Sequence, residues 1–215
     1  MRSPVMSQWM RGACVAATLG MLGAGAGCLS SSSDAQRKMA EQKRTWLLEA
    51  DVSAVETRPP KFAEMKIRAF RALPPFNAAG IVVKRANGEA AVDFYNAWVA
   101  PPHDLIRVQA MRYLEQTGLF SAVYDTASGT QTPLGLEGTM CELFLDCRDE
   151  NRPVAAVTLR LVLLDESSPV FTVLGSAEAT ARAAYNPGAA DGIARAFNTA
   201  LTQALAALAQ NLAGL

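Results

Sequence analysis

One histidine and no excess of charge leave this sequence of 215 residues little to do chemistry with. A hydrolase needs a base within reach of a nucleophile. His103 stands between Pro102 and Asp104 at a predicted helix start, where it reads as a surface or capping residue. "GTMCEL" is not a nucleophile elbow, and no glycine loop of the phosphate-cradling kind is present. The acidic residues are scattered along strand faces rather than paired. The expectation is therefore a protein that is not an enzyme, with no catalytic residue, no cofactor and no metal site.

Charge of one sign is also missing. The chain carries 20 basic and 20 acidic residues, and loss of residues 1–27 would remove Arg2 and Arg11 and no acid, leaving 18 against 20. That balance gives no electrostatic case for nucleic acid. Half of the residues are apolar, so a globular body with a sizeable core is expected.

Arg2 and Arg11 are the only charges in the first 33 residues, and "GACVAATLGMLGAGAG" follows Arg11. A basic start, a short apolar run and a small-residue end make a secretory signal peptide. A spanning helix needs ~20 apolar residues, and this run is shorter and rich in glycine. The end of the run, "GAGAGC", resembles a bacterial lipobox, in which small residues precede a cysteine that takes diacylglycerol. Ala26 and Gly27 fit the pattern, while Gly25 stands where it favours leucine. The resemblance implies lipidation of Cys28, which would fix the chain to a bilayer without a spanning segment. Leu29 in the place of an aspartate points, by resemblance to sorting rules, to the outer membrane. Residues 1–27 are thus read as a lipoprotein signal peptide, 28–44 as a polar tether and 45–215 as one domain.

Four cysteines do not make two disulfides. Cys14 lies in the signal peptide and Cys28 would be acylated. Cys141 and Cys147 share "TMCELFLDC", and on one strand they would stand roughly 20 Å apart, whereas a disulfide needs Cα atoms within ~7 Å. The alternation Cys141, Leu143, Leu145, Cys147 predicts two buried free thiols on one apolar face.

Periodicity organises the body. "TWLLEAD" is a predicted strand. "FAEMKIRAFRALPP" alternates, with Met65, Ile67 and Ala69 toward a core. Asn87-Gly88 predicts a hairpin between two short strands. A helix follows Pro101-Pro102 with a stripe of Leu105, Val108, Met111 or Arg112 and Leu114, and stops at Gly118. "SAVYD" restarts a strand. Three longer strands, "GLEGTMCELFLDC", "PVAAVTLRLVLLD" and "PVFTVLGSAEATARA", predict an antiparallel meander. The last segment is an alanine-rich helix with Ile193, Phe197, Leu201, Ala204, Leu208 and Leu212 on one side. The fold class is α+β, a mixed or mostly antiparallel sheet covered by two main helices.

Aromatics and prolines concentrate in "FRALPPF" and "DFYNAWVAPP". Phe76, Tyr95 and Trp98 are candidate partner-binding residues, since aromatic side chains are the usual interface anchors. The reading preferred for this stretch is nevertheless that Phe94, Tyr95 and Trp98 cap the core beneath the first helix.

"TWLLEAD", "IRAFRALPPF", "GIVVKRANGEAAVDFYNAW", "PPHDLIRVQAMRYLEQTGLFSAVY", "LEGTMCELFLD" and "LRLVLLD", in this order, resemble the ABC-type transport auxiliary lipoproteins, a family that includes paraquat-inducible protein C. The resemblance implies a periplasm-facing auxiliary subunit of an MCE-type lipid transport system. Its partners would be an MCE-domain protein and, through it, an inner-membrane permease and ATPase, with a ring of copies as its oligomer. It transfers no catalytic residue, only Cys28. An adaptor that docks the MCE assembly at the outer membrane is the first expectation. A periplasmic lipid-binding carrier and a purely structural envelope lipoprotein are the alternatives.

Overall fold

The turn at Asn87-Gly88 and the stop at Gly118 fix two corners of the structure. Gly88 has φ 81° and Gly118 φ 67°, left-handed values that glycine adopts without a Cβ penalty. The computed structural model describes residues 42–215. Cys28, the lipobox, the signal peptide and the tether up to residue 41 lie outside the described residues.

The strands are β1 (Arg44–Trp46), β2 (Met65–Ala72), β3 (Gly80–Arg85), β4 (Ala90–Trp98), β5 (Val123–Tyr124), β6 (Leu134–Cys147), β7 (Val154–Asp165) and β8 (Thr172–Ala184). The helices are α1 (Pro102–Thr117) and α2 (Gly192–Ala213). Among the described residues the eight strands form one mixed sheet, and the class is α+β. β6 is its spine. β7 pairs along one side of it, antiparallel, and β8 pairs antiparallel to β7. On the other side the first half of β6 pairs parallel with β2 and the second half parallel with β3. β4 and then β1 extend the sheet beyond β3, and β5 extends it beyond β2.

The expected meander and the α2 stripe are both present. Ile193, Phe197, Leu201, Ala204, Leu208 and Leu212 are all buried. Ala177, Ala179 and Ala183 of β8 are buried as well, and their small side chains leave room for the helix. The opposite sheet face is polar, with Thr158 bonding Glu142 and Thr180, and Arg160 pairing with Glu178. Burying one face and solvating the other is the usual economy of a sheet with antiparallel meanders.

Three expectations are corrected. "TWLLEAD" is strand only through Trp46. After it the chain straps across both helices, where Glu49 N–H donates to Asn198 Oδ1, Ala50 N–H to Gln109 Oε1 and Asp51 N–H to Thr202 Oγ1. Helix side chains thus take donors that a neighbouring strand would otherwise accept. The buried face of α1 is Ile106, Gln109, Ala110, Tyr113, Leu114 and Thr117, not the Leu105–Val108 stripe. Gln109 belongs to that face because it serves Ala50. In β2, Ala69 is exposed and Phe70 is buried. Ile67 pairs with Leu136 and Phe70 with Gly138, so the extra residue of a bulge reverses the alternation.

Candidate interaction surface

Of the three aromatics singled out from sequence, two are core residues. Phe76 and Trp98 are 6% and 3% exposed. Phe76 follows the Pro74-Pro75 turn between β2 and β3, and its ring stacks on Phe144 of β6 at 6.2 Å. Trp98 closes β4 and meets Phe197 of α2 edge-on at 4.9 Å. Each ring ties a strand end to the centre of the core, so neither has a face left for a partner. Their assignment to a partner surface is corrected accordingly.

Tyr95 is different. It is 43% exposed, next to Phe94 at 70% and close to Val92 at 63%. The cause is local. Val82 pairs with Val92 and Gly80 with Ala97, so residues 93–96 of β4 stand opposite Ile81 alone. Asp93 holds the excess chain: its Oδ1 accepts the N–H groups of Tyr95 at 2.8 Å and Asn96 at 3.0 Å, and its Oδ2 accepts Asn96 Nδ2 at 3.0 Å. Asn96 Oδ1 in turn accepts Trp46 Nε1 at 2.9 Å, which ties the bulge to β1. Short Asx side chains bond the backbone two or three residues on, and here that pushes two aromatic rings out of the sheet. The rings meet edge-to-face at 5.1 Å, and Lys43 Nζ sits 4.7 Å from the Phe94 ring centre.

The bulge borders a groove of 390 Å³ between β4 and the chain entering β1, lined by Lys43, Thr45, Val92, Phe94, Tyr95 and Ala97 among others. Leu47 and Val99 are exposed too. The sequence signal for this surface was the pair Asp93 and Asn96 flanking Phe94-Tyr95.

Elsewhere the polar chemistry is that of ion pairs. Asp146 is buried and receives Arg148 Nε at 2.8 Å, Arg148 Nη2 at 2.6 Å and Arg182 Nη1 at 2.9 Å. The Arg148 bonds, with Arg182 beside them, hold its carboxyl far below the usual carboxylate range, against the effect of burial. Arg68 pairs with Glu166 and Arg107 with Asp125. His103 lies in the first turn of α1 with Asp104 4.0 Å away. Cys141 and Cys147 are free thiols, and partial burial pushes both up from the usual thiol value. They are half-buried rather than fully buried: a register break between Met140 and Glu142 takes Cys141 off the regular alternation, and Cys147 ends its strand. Among the described residues no helix is long and apolar enough to cross a membrane.

No family model matches the sequence, and no curated protein matches it. Solved structures do match in shape. Protein XCC0632 from Xanthomonas campestris, of the DUF330 family, superposes with a TM-score of 0.64 at 21% identity, covering 80% of this chain and 96% of that one. A second structure, of an uncharacterised protein, gives 0.55 at 9% identity, covering 79% and 99%. At these identities the likeness is one of fold: this chain is built as the DUF330 protein is.

Proposed function

We propose that the chain is a non-catalytic envelope lipoprotein, anchored to the outer membrane through acylated Cys28, that serves as an auxiliary adaptor of an MCE-type ABC lipid transport system. The observation that carries the adaptor role is the Asp93–Asn96 bulge. It presents Phe94, Tyr95 and Val92 to solvent at the sheet edge, beside the point where the chain enters from the tether. Exposed aromatics held rigidly on a folded body are suited to anchoring a protein partner. Lys43, beside the groove at β4, follows Cys28 in the sequence with fourteen residues between them. That exposed surface is the one we assign to a periplasmic MCE-domain protein and, through it, to the permease and ATPase.

The carrier reading has less support. A lipid site is an enclosed, mostly apolar cavity of several hundred Å³. The cleft of 330 Å³ between the two helices is lined by Glu56, Arg58, Gln210 and several alanines, and that of 810 Å³ by Lys66, Arg68 and Glu166 among others. Both are open and partly charged.

The deciding experiment is co-purification of the acylated chain with the transporter, comparing wild type with Phe94→Ala and Tyr95→Ala. Loss of the transporter with unchanged melting supports the adaptor. Stoichiometric phospholipid on the purified chain, found by mass spectrometry, would replace it with the carrier.

A further inference from the structure

Strand β8 is a long edge. Among the described residues it pairs only with β7, and its 13 residues, "TVLGSAEATARAA", contain neither proline nor lysine. Those are residues with which proteins commonly blunt an edge against pairing. The one irregularity of its ladder lies at Leu174, between the pairs Leu163–Gly175 and Leu164–Val173. From Gly175 to Ala184 the ladder is regular. Along that stretch Ser176, Glu178, Thr180 and Arg182 are exposed on the polar face, while Ala177, Ala179 and Ala183 lie buried.

We propose that β8 is a self-pairing edge: two copies of this chain join β8 to β8, antiparallel, about a two-fold axis through Thr180. The charge pattern selects this register. Centring the pair on Thr180 sets Glu178 of each copy opposite Arg182 of the other. Centring it on Glu178 or on Arg182 would set like charges face to face, which destabilises a sheet pair. The charges are already held on that face. Arg160 grips Glu178 at 2.6 Å, and Asp146 grips Arg182 at 2.9 Å. Across the junction they make a row of alternating sign, Asp146, Arg182, then Glu178 and Arg160 of the second copy. Thr158 and Thr180, bonded at 3.0 Å, meet the same two threonines in the middle.

The same register places the second copy's Tyr185, Asn186 and Pro187 beside Val173 and Leu174, two apolar side chains that stand exposed at the start of β8. Outward N–H and C=O groups along the edge gain partners, as in strand addition generally. The contact is isologous, so it closes at two copies and leaves no free β8 edge. It lies on a different strand from the Phe94–Tyr95 bulge, and it gives a closed pair where the family resemblance implies a ring of copies.

The test uses the mature acylated chain in detergent. Sedimentation should show a dimer. Glu178→Arg should weaken it roughly tenfold or more, since two symmetry-related pairs become repulsive. Melting curves establish that the variant is folded. In a chain with Cys141→Ser and Cys147→Ser, Thr180→Cys should cross-link copy to copy through a short bismaleimide. Glu178→Cys should not, because its two thiols would stand ~14 Å apart along the strands. A monomer at all concentrations, a larger closed ring, or linkage through position 178 and not 180 overturns the proposal.

Discussion

The ring of Phe70 occupies the place where a side chain at Gly138 would stand. The two residues are register partners on the parallel pair β2 and β6, and a Cβ at Gly138 would fall onto three carbons of that ring. The bulge at Arg68-Ala69 turns Phe70 to this side, and the bare backbone of Gly138 receives it.

Gly138→Ala is therefore expected to destabilise the fold by about 1–3 kcal/mol, the usual cost of overpacking a core. Thermal melting measures it. Adding Phe70→Leu should recover part of the loss, because the clash is with the ring. If Gly138→Ala melts like wild type, the close approach is not a constraint.

The aromatics should divide into two groups. Phe76→Ala and Trp98→Ala each remove a buried ring and should cost ~3–5 kcal/mol of stability. Phe94→Ala and Tyr95→Ala should change stability by ~0.5 kcal/mol or less, as exposed substitutions do. If they anchor the transporter, each weakens that complex by ~2 kcal/mol or more. Melting and pull-down on the same four variants separate the groups, and equal melting losses in all four would return Phe94 and Tyr95 to the core.

Asp146 sets an acid limb. Its carboxyl titrates lower in the fold than in the open chain, where the ordinary value is 3.8. Its stabilisation is thus complete above that value and is lost as pH falls through the folded value. Asp146→Asn should cost about 2 kcal/mol at neutral pH. It should also flatten the loss of stability below the ordinary aspartate range, measured by urea unfolding at stepped pH. A wild-type curve already flat there would remove Asp146 from the account.

Cys141 and Cys147 should remain reduced and react slowly with a maleimide in the folded chain at neutral pH, faster as pH rises, since burial pushes both thiols up. Six residues of one strand hold them roughly 20 Å apart, far beyond disulfide reach. An intramolecular disulfide between them would overturn the placement of both on β6.

Lipidation is tested at Cys28. Cys28→Ser should leave an uncleaved precursor and lose acyl label, because the thiol is the group that takes diacylglycerol. A labelled serine variant that fractionates like wild type would end the lipoprotein reading.

Features that depend on neighbours along the chain were legible in the residues alone. Asn87-Gly88 makes a turn because glycine takes φ 81° there, Gly118 stops α1, and the period of Ile193 to Leu212 gives α2 its buried side. The β6–β7–β8 meander follows from three alternating runs joined by short polar links. Tertiary structure decided whatever depends on a partner strand or helix. Alternation along β2 favoured Ala69, and only pairing with β6 could insert the bulge that buries Phe70 in its place. The face of α1 follows Gln109, whose partner Ala50 lies 59 residues away. Phe76, Tyr95 and Trp98 share one composition of neighbourhood, yet two fill the core and one stands out. Aromatic side chains suit both settings, and the choice was made by Phe144 and Phe197 arriving from β6 and α2, and by Asp93 folding the chain outward beneath Tyr95.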